Sequence, residues 1–287
     1  MACVVGVVNA AYDENLATKA LYYSGAAYCR KDTIYDWTCG EPCSSLPGAG
    51  NVFKVENELL DTFGFVTYNA VDDQIVVAFR GTNGADFLNW MTNLVYYRVQ
   101  YEDVPNTQVH SGFYTAYSAV QGQLRSALSN LIALHPTSQI LVTGHSLGGA
   151  LGTFAMLDIK RNLKFSNPIK FYSFGSPRVG NQAFTDYFMS MFPAETYQRV
   201  THYTDVIVQV PPRQMSFNHA GTEVWYYNDA FDGLRKVCTN YIGYVESGWC
   251  ADSYLFTTGI DAHLNYLGKP ISRMCTIKGE REIEPVI

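Results

Sequence analysis

The sequence predicts an α/β protein, with a central, mostly parallel sheet flanked by helices. Two observations carry this. Through the middle of the chain, short β-branched runs alternate with amphipathic stretches over short connections, the pattern of parallel strands joined by helical crossovers. In addition, ILVTGHSLGGA at 140–150 sets a strand directly before a Gly-x-Ser-x-Gly turn that opens a helix. A chain of 287 residues can bury a large core. Neither an internal repeat nor a linker divides it, so one domain is expected over 1–287.

Taken in order, Asn15 to Tyr28, rich in Ala, Leu and Tyr, reads as a first helix. Thr38 to Asn51 (TCGEPCSSLPGAGN) reads as a Gly/Pro/Ser loop tied by cysteine. Phe63–Tyr68 and Ile75–Phe79 are β-rich runs across the turn NAVDDQ, which predicts a hairpin. Phe113, Tyr117, Val120, Leu124, Leu128 and Leu131 recur every three or four residues, predicting one long helix that buries one side. Pro136 prevents its continuation. Ile140–Thr143 follows as a strand, Ala150–Asn162 as a helix and Ile169–Phe174 as a strand. Further strands are expected at Tyr197–His202 and Glu223–Tyr227.

Composition removes some functions. The net charge of −6 and the lack of a Lys/Arg cluster argue against nucleic acid as a partner. No run of apolar residues is long enough to span a membrane. A surface with few charges and many tyrosines fits an extracellular protein. The cysteines point the same way: Cys3, Cys29, Cys39, Cys43, Cys238, Cys250 and Cys275 all lie towards the ends, leaving 44–237 without any. Cys39-x3-Cys43 has no second pair at zinc-ligand spacing, so disulfides that staple peripheral segments are expected, with the connectivity open. Residues 1–10 have a short apolar run but no basic start, and read at most as a minimal leader that would include Cys3.

The chemistry centres on Ser146. A nucleophilic serine on a sharp strand-to-helix turn needs glycine two residues away on each side, because the chain there passes too close for a Cβ. It also needs a base and a carboxylate to orient that base. Only His202, His219 and His263 lie downstream, and the order Ser, acid, His favours His263 near the C-terminus. For the acid, Asp205 at the end of a predicted strand is favoured over Asp186, Asp229 and Asp232.

VVAFRGT at 76–82, the NW and NL of 89–94, VHSGF at 109–113, VTGHSLGGA at 142–150, FGSPRVGN at 174–181 and RVTHYTDVIVQVPP at 199–212 give the chain a wider likeness. From roughly Leu16 to Cys275 it resembles the fungal-type class 3 triacylglycerol lipases, which have the α/β-hydrolase fold. The resemblance implies a Ser146–Asp205–His263 triad, an oxyanion hole from the amides of Thr82 and Leu147, and the disulfides Cys29–Cys275, Cys39–Cys43 and Cys238–Cys250 with Cys3 left over. It implies hydrolysis of acylglycerol esters through an acyl-enzyme, with no cofactor or metal, by a secreted monomer that touches the lipid–water interface only transiently. It also implies a lid helix, at about 84–95. There Phe87, Leu88, Trp90, Met91 and Leu94 have the spacing of an amphipathic helix. An apolar lid favours long-chain acylglycerols; a carboxylesterase or feruloyl-type esterase acting on soluble esters is the alternative. Two departures stand out. Many relatives read D-P-V-P where this chain reads Asp205-Val206-Ile207-Val208, which predicts a less rigid acid loop, and the stretch between Thr82 and Trp90 is slightly longer.

Overall fold

In the computed structural model the described residues are 12–82, 95–239, 241–243, 246, 248–254 and 259–275. The chain opens with helices α1 (Glu14–Ala26), α2 (Lys31–Tyr35) and α3 (Glu41–Ser44). Asp13 caps α1 by accepting the Leu16 amide. Strands β1 (Ala49–Asn57), β2 (Thr62–Asn69) and β3 (Gln74–Phe79) form an antiparallel meander. A small hairpin of β4 (Arg98–Gln100) and β5 (Gln108–His110) leads to helices α4 (Ser111–Ser118) and α5 (Gln121–Leu134). Then come β6 (Gln139–His145), α6 (Leu147–Asn162), β7 (Ile169–Phe174), α7 (Gln182–Met191), β8 (Tyr197–His202), β9 (Thr222–Tyr226) and β10 (Arg235–Thr239). A short helix, α8 (Ile260–Leu264), follows.

The main sheet has the order β1-β2-β3-β6-β7-β8-β9-β10. Its centre, from β3 to β9, is parallel, and both margins are antiparallel. Alternation along each strand feeds two cores. Ile75, Val77, Ile140, Val142 and Phe171 face α4, α5 and α6, whereas Val76, Ala78, Leu141, Tyr172 and Phe174 face α1. A parallel sheet covered on both faces is the α/β-hydrolase arrangement the sequence predicts.

Two sequence expectations are corrected, and two strands of the main sheet are not among those predicted. The long helix beginning near Phe113 is two helices, because the α4 turn closes through the Val120 amide onto Tyr117 and α5 restarts at Gln121. The apolar period runs across the break because both helices lie on one core, with Val120 buried at the joint. The loop at 38–51 holds α3 and the first residues of β1. β1 and β10 escape the sequence reading since both are margin strands with few fully buried positions, so alternation is weak.

Candidate active site

The turn after β6 is as tight as its glycines suggest. Ser146 has φ 58° and ψ −130°, a conformation that costs a non-glycine residue roughly 1–3 kcal/mol. A Cβ at Gly144 would lie 2.3 Å from the Gly148 backbone, and one at Gly148 would lie 2.2 Å from the Phe79 carbonyl oxygen. The Ser146 amide donates to the Phe174 carbonyl (2.9 Å), and the Ser146 carbonyl accepts from Gly149 (2.9 Å), which pins the bend between β7 and α6. Ser146 Oγ is buried, with no hydrogen-bond partner among the described residues. Leu147 is the first residue of α6, so its amide has no partner within the helix.

Asp205 and His263 meet although 58 residues separate them. Asp205 follows β8, and the chain at Gly259, just before α8, forms a bridge to it. His263 Nδ1 lies 2.9 Å from Asp205 Oδ2, with both side chains fully buried. A carboxylate only accepts, so Nδ1 carries the hydrogen and Nε2 presents the basic lone pair. Asp205 also accepts from the Ile207 amide at Oδ1 (2.8 Å) and from the Tyr266 hydroxyl at Oδ2. Burial, and then the neighbouring Asp205, push the Tyr266 hydroxyl far above its ordinary range, so it remains a donor. Gly175 forms the floor: at φ +59°, a Cβ there would sit 2.8 Å from Asp205 Oδ2 and from His263 Nδ1.

The rival sequence candidates are engaged elsewhere. His202 Nδ1 donates to the Ala262 carbonyl (2.9 Å), and its Nε2 lies 3.6 Å from Asp229. His219 Nε2 donates to the Val208 carbonyl (2.9 Å), and burial keeps its ring neutral well below the ordinary range. Asp186 accepts from Gln182 and the Gly243 amide, and Asp232 from Asn228 and the Leu234 amide. Thr82 stands just after β3, its Oγ1 buried without a hydrogen-bond partner among the described residues. Phe87, Leu88, Trp90, Met91 and Leu94 lie outside the described residues, as do Cys3 and 1–10.

Sulfur bonds join Cys29 to Cys275, Cys39 to Cys43 and Cys238 to Cys250. Among the described residues, no cluster of three or more His, Cys, Asp or Glu could hold a metal, and no helix is long and apolar enough to cross a membrane. The sequence reading missed Tyr266, a buried donor to Asp205 three residues beyond His263. It also missed Arg178, buried at the back of the acid loop. Their only sequence signals are those positions: one follows His263 closely, and the other sits inside FGSPRVGN.

The family described as "Lipase (class 3)" matches residues 76–215, a span that holds Thr82, Ser146 and Asp205 but ends before His263. The secreted mono- and diacylglycerol lipase 1 of Fusarium solani is 31% identical over 264 residues, covering 86% of this chain and 73% of the relative. The chain belongs to the class 3 lipase family. Another relative, the lipase of Rhizopus niveus, is 31% identical over 87% of this chain, which spans 62% of that relative's length. The crystal structure of the lipase from Rhizopus microsporus var. chinensis superposes with a TM-score of 0.82 at 30% identity, covering 91% of this chain and 89% of that one. The chain therefore shares both sequence and fold with fungal lipases.

Proposed function

We propose that the chain is a triacylglycerol lipase that hydrolyses acylglycerol esters through an acyl-enzyme, with Ser146 as nucleophile, His263 as base and Asp205 as its orienting acid. The observation that carries this reading is the buried His263–Asp205 pair, joined at 2.9 Å behind the strained Ser146 turn. His263 Nε2 removes the Ser146 proton as Oγ attacks the ester carbonyl. The amides of Thr82 and Leu147 stabilise the tetrahedral oxyanion, the Leu147 amide from the positive end of α6. His263 then protonates the departing alkoxide, and water releases the fatty acid by the same route. Asp205 keeps the imidazole in its productive tautomer throughout. Every group in this scheme comes from one chain, so the reaction requires no second subunit.

The name of the Fusarium relative and the three sulfur bonds support work outside the cell. The sequence-assigned lid at 84–95 supports transient contact with lipid: in water its apolar side chains favour burial over the site, and a lipid surface offers them another apolar neighbour.

Ser146→Ala is expected to stay folded and lose several orders of magnitude in ester hydrolysis, and a serine-directed phosphonate should label wild type at Ser146 alone. Labelling elsewhere, or more than a few per cent of activity left, would reject the triad. On a medium-chain triglyceride the rate should climb steeply once substrate passes its solubility limit. A smooth saturation curve, with short soluble esters preferred, would identify an esterase using the same triad.

A further inference from the structure

We propose that Tyr28 and His145 are positioning residues, forming a hydrogen-bond relay that holds the oxyanion turn and the backbone of His263 in register; this rests on the lipase reading. Three contacts make the relay. The Gly81 amide lies 3.1 Å from the Tyr28 hydroxyl, which lies 2.8 Å from His145 Nδ1, and His145 Nε2 lies 2.8 Å from the His263 carbonyl. Their directions follow from one end. A carbonyl only accepts, so His145 Nε2 carries a hydrogen. In a neutral ring Nδ1 is then an acceptor, the Tyr28 hydroxyl donates to it, and the Tyr28 oxygen accepts from Gly81. Each donor meets an acceptor.

The two ends of this relay adjoin the groups that the proposed chemistry uses. Gly81 immediately precedes Thr82, and a Cβ there would lie 2.3 Å from the Tyr28 oxygen and 2.9 Å from Ser146 Cβ, so the turn is fitted closely to both. At the other end, α8 has only five residues, and the last carbonyls of any helix lack internal partners. Imidazoles supply them here: His145 donates to the carbonyl of residue 263 and His202 to that of 262. Asp205 aims the His263 ring, while these two histidines fix the backbone that carries it. Neutrality of His145 matters, because its ring centroid lies 4.4 Å from that of His263. A second imidazolium there would oppose the charge His263 must acquire during acylation. Burial, and then the proximity of His263, hold His145 well below the ordinary range, and Tyr28 occupies the nitrogen that would otherwise take a proton.

Tyr28→Phe removes only the hydroxyl. On a soluble p-nitrophenyl ester it should lower kcat roughly tenfold, as expected for slight misplacement of reacting groups, with KM within about twofold and the melting temperature little changed. His145→Gln, which retains a donor for the His263 carbonyl, should keep more kcat than His145→Leu. The double variant Tyr28→Phe/His145→Leu should lose less than the product of the single losses, because a relay broken once has little left to break. A wild-type kcat in Tyr28→Phe, or equal losses in His145→Gln and His145→Leu, would overturn the relay. One readout needs no turnover: nitrogen NMR shifts should place the His145 hydrogen on Nε2, and Tyr28→Phe should move the Nδ1 resonance. A hydrogen on Nδ1 overturns the relay even if the enzyme is a lipase. An intact tautomer in a protein without esterase activity would instead reject the lipase reading.

Discussion

Ser146 and Gly175 show how little room a single residue has at this centre. Ser146 is held in a strained conformation by glycines whose missing Cβ atoms leave space for the Gly148 backbone and the Phe79 carbonyl. Gly175 plays the same part under the Asp205–His263 pair, and its positive φ adds a conformational requirement to the steric one. Gly175→Ala should therefore strain the backbone by about 1–2 kcal/mol and push the new methyl into His263. We expect kcat on a soluble ester to fall at least about tenfold, with a melting point lower by only a few degrees. Wild-type turnover in this variant would mean that the pair tolerates more displacement than its packing implies.

At the scale of elements, the acid loop is the informative case. Its sequence lacks two prolines of many relatives, and the structure ties its backbone by hydrogen bonds. Ile207–Gln209 forms a 3₁₀ turn, and the Arg178 amide donates to the Val210 carbonyl (2.9 Å). The buried Arg178 guanidinium donates to the carbonyls of Gln209 and Pro211 and to the carboxylates of Glu246 and Asp252. Removing one partner of a buried ion pair costs about 3–5 kcal/mol, so Arg178→Met should lower the urea midpoint strongly and depress turnover through the loosened loop. An unchanged midpoint would show that the network contributes nothing net. Acid should reach the same network. Burial opposes ionisation of Glu246, but His219, Arg178 and Arg199 outweigh it and hold its carboxyl at about 2, below the ordinary 4.5. Because burial keeps His219 neutral, the two guanidiniums supply the lasting charge. A carboxyl depressed by folding contributes stability that is present above the ordinary value and lost as pH falls toward 2. Urea titrations from pH 5 to 2 should show this loss in wild type, and Glu246→Gln should flatten it.

Across the whole molecule, the Cys29–Cys275 bond joins the segment after α1 to the far end of the described chain, over a sequence separation of 246. The other two close separations of 4 and 12. On chain entropy alone the long closure is worth roughly 5 kcal/mol and the 12-residue one roughly 3. Replacing Cys29 and Cys275 together by alanine should lower the melting point most, by roughly 10 °C or more, while calorimetry of the Cys238/Cys250 pair should show a smaller drop. The reverse ranking would mean that the parallel core already holds the two ends in place. That core is continuous on both faces of the sheet, from α1 on one side to α4, α5 and α6 on the other.

The sequence by itself determined what depends on neighbours along the chain. The strand, turn and helix around Ser146 follow from apolar runs and glycines within a dozen residues, and the central strands from their β-branched composition. It also narrowed the base to three histidines, because chain order limits the choice. The tertiary structure decided everything that depends on distant segments meeting. It set His263 on Asp205, turned His202 and His219 to backbone carbonyls, brought Tyr266 and Arg178 to the acid loop, and split one periodic stretch into two helices. Periodicity reports which face is buried and is indifferent to a break that leaves that face in place. A buried polar partner leaves no local pattern at all, since its identity is fixed only by the donor or acceptor that folding brings within about 3 Å.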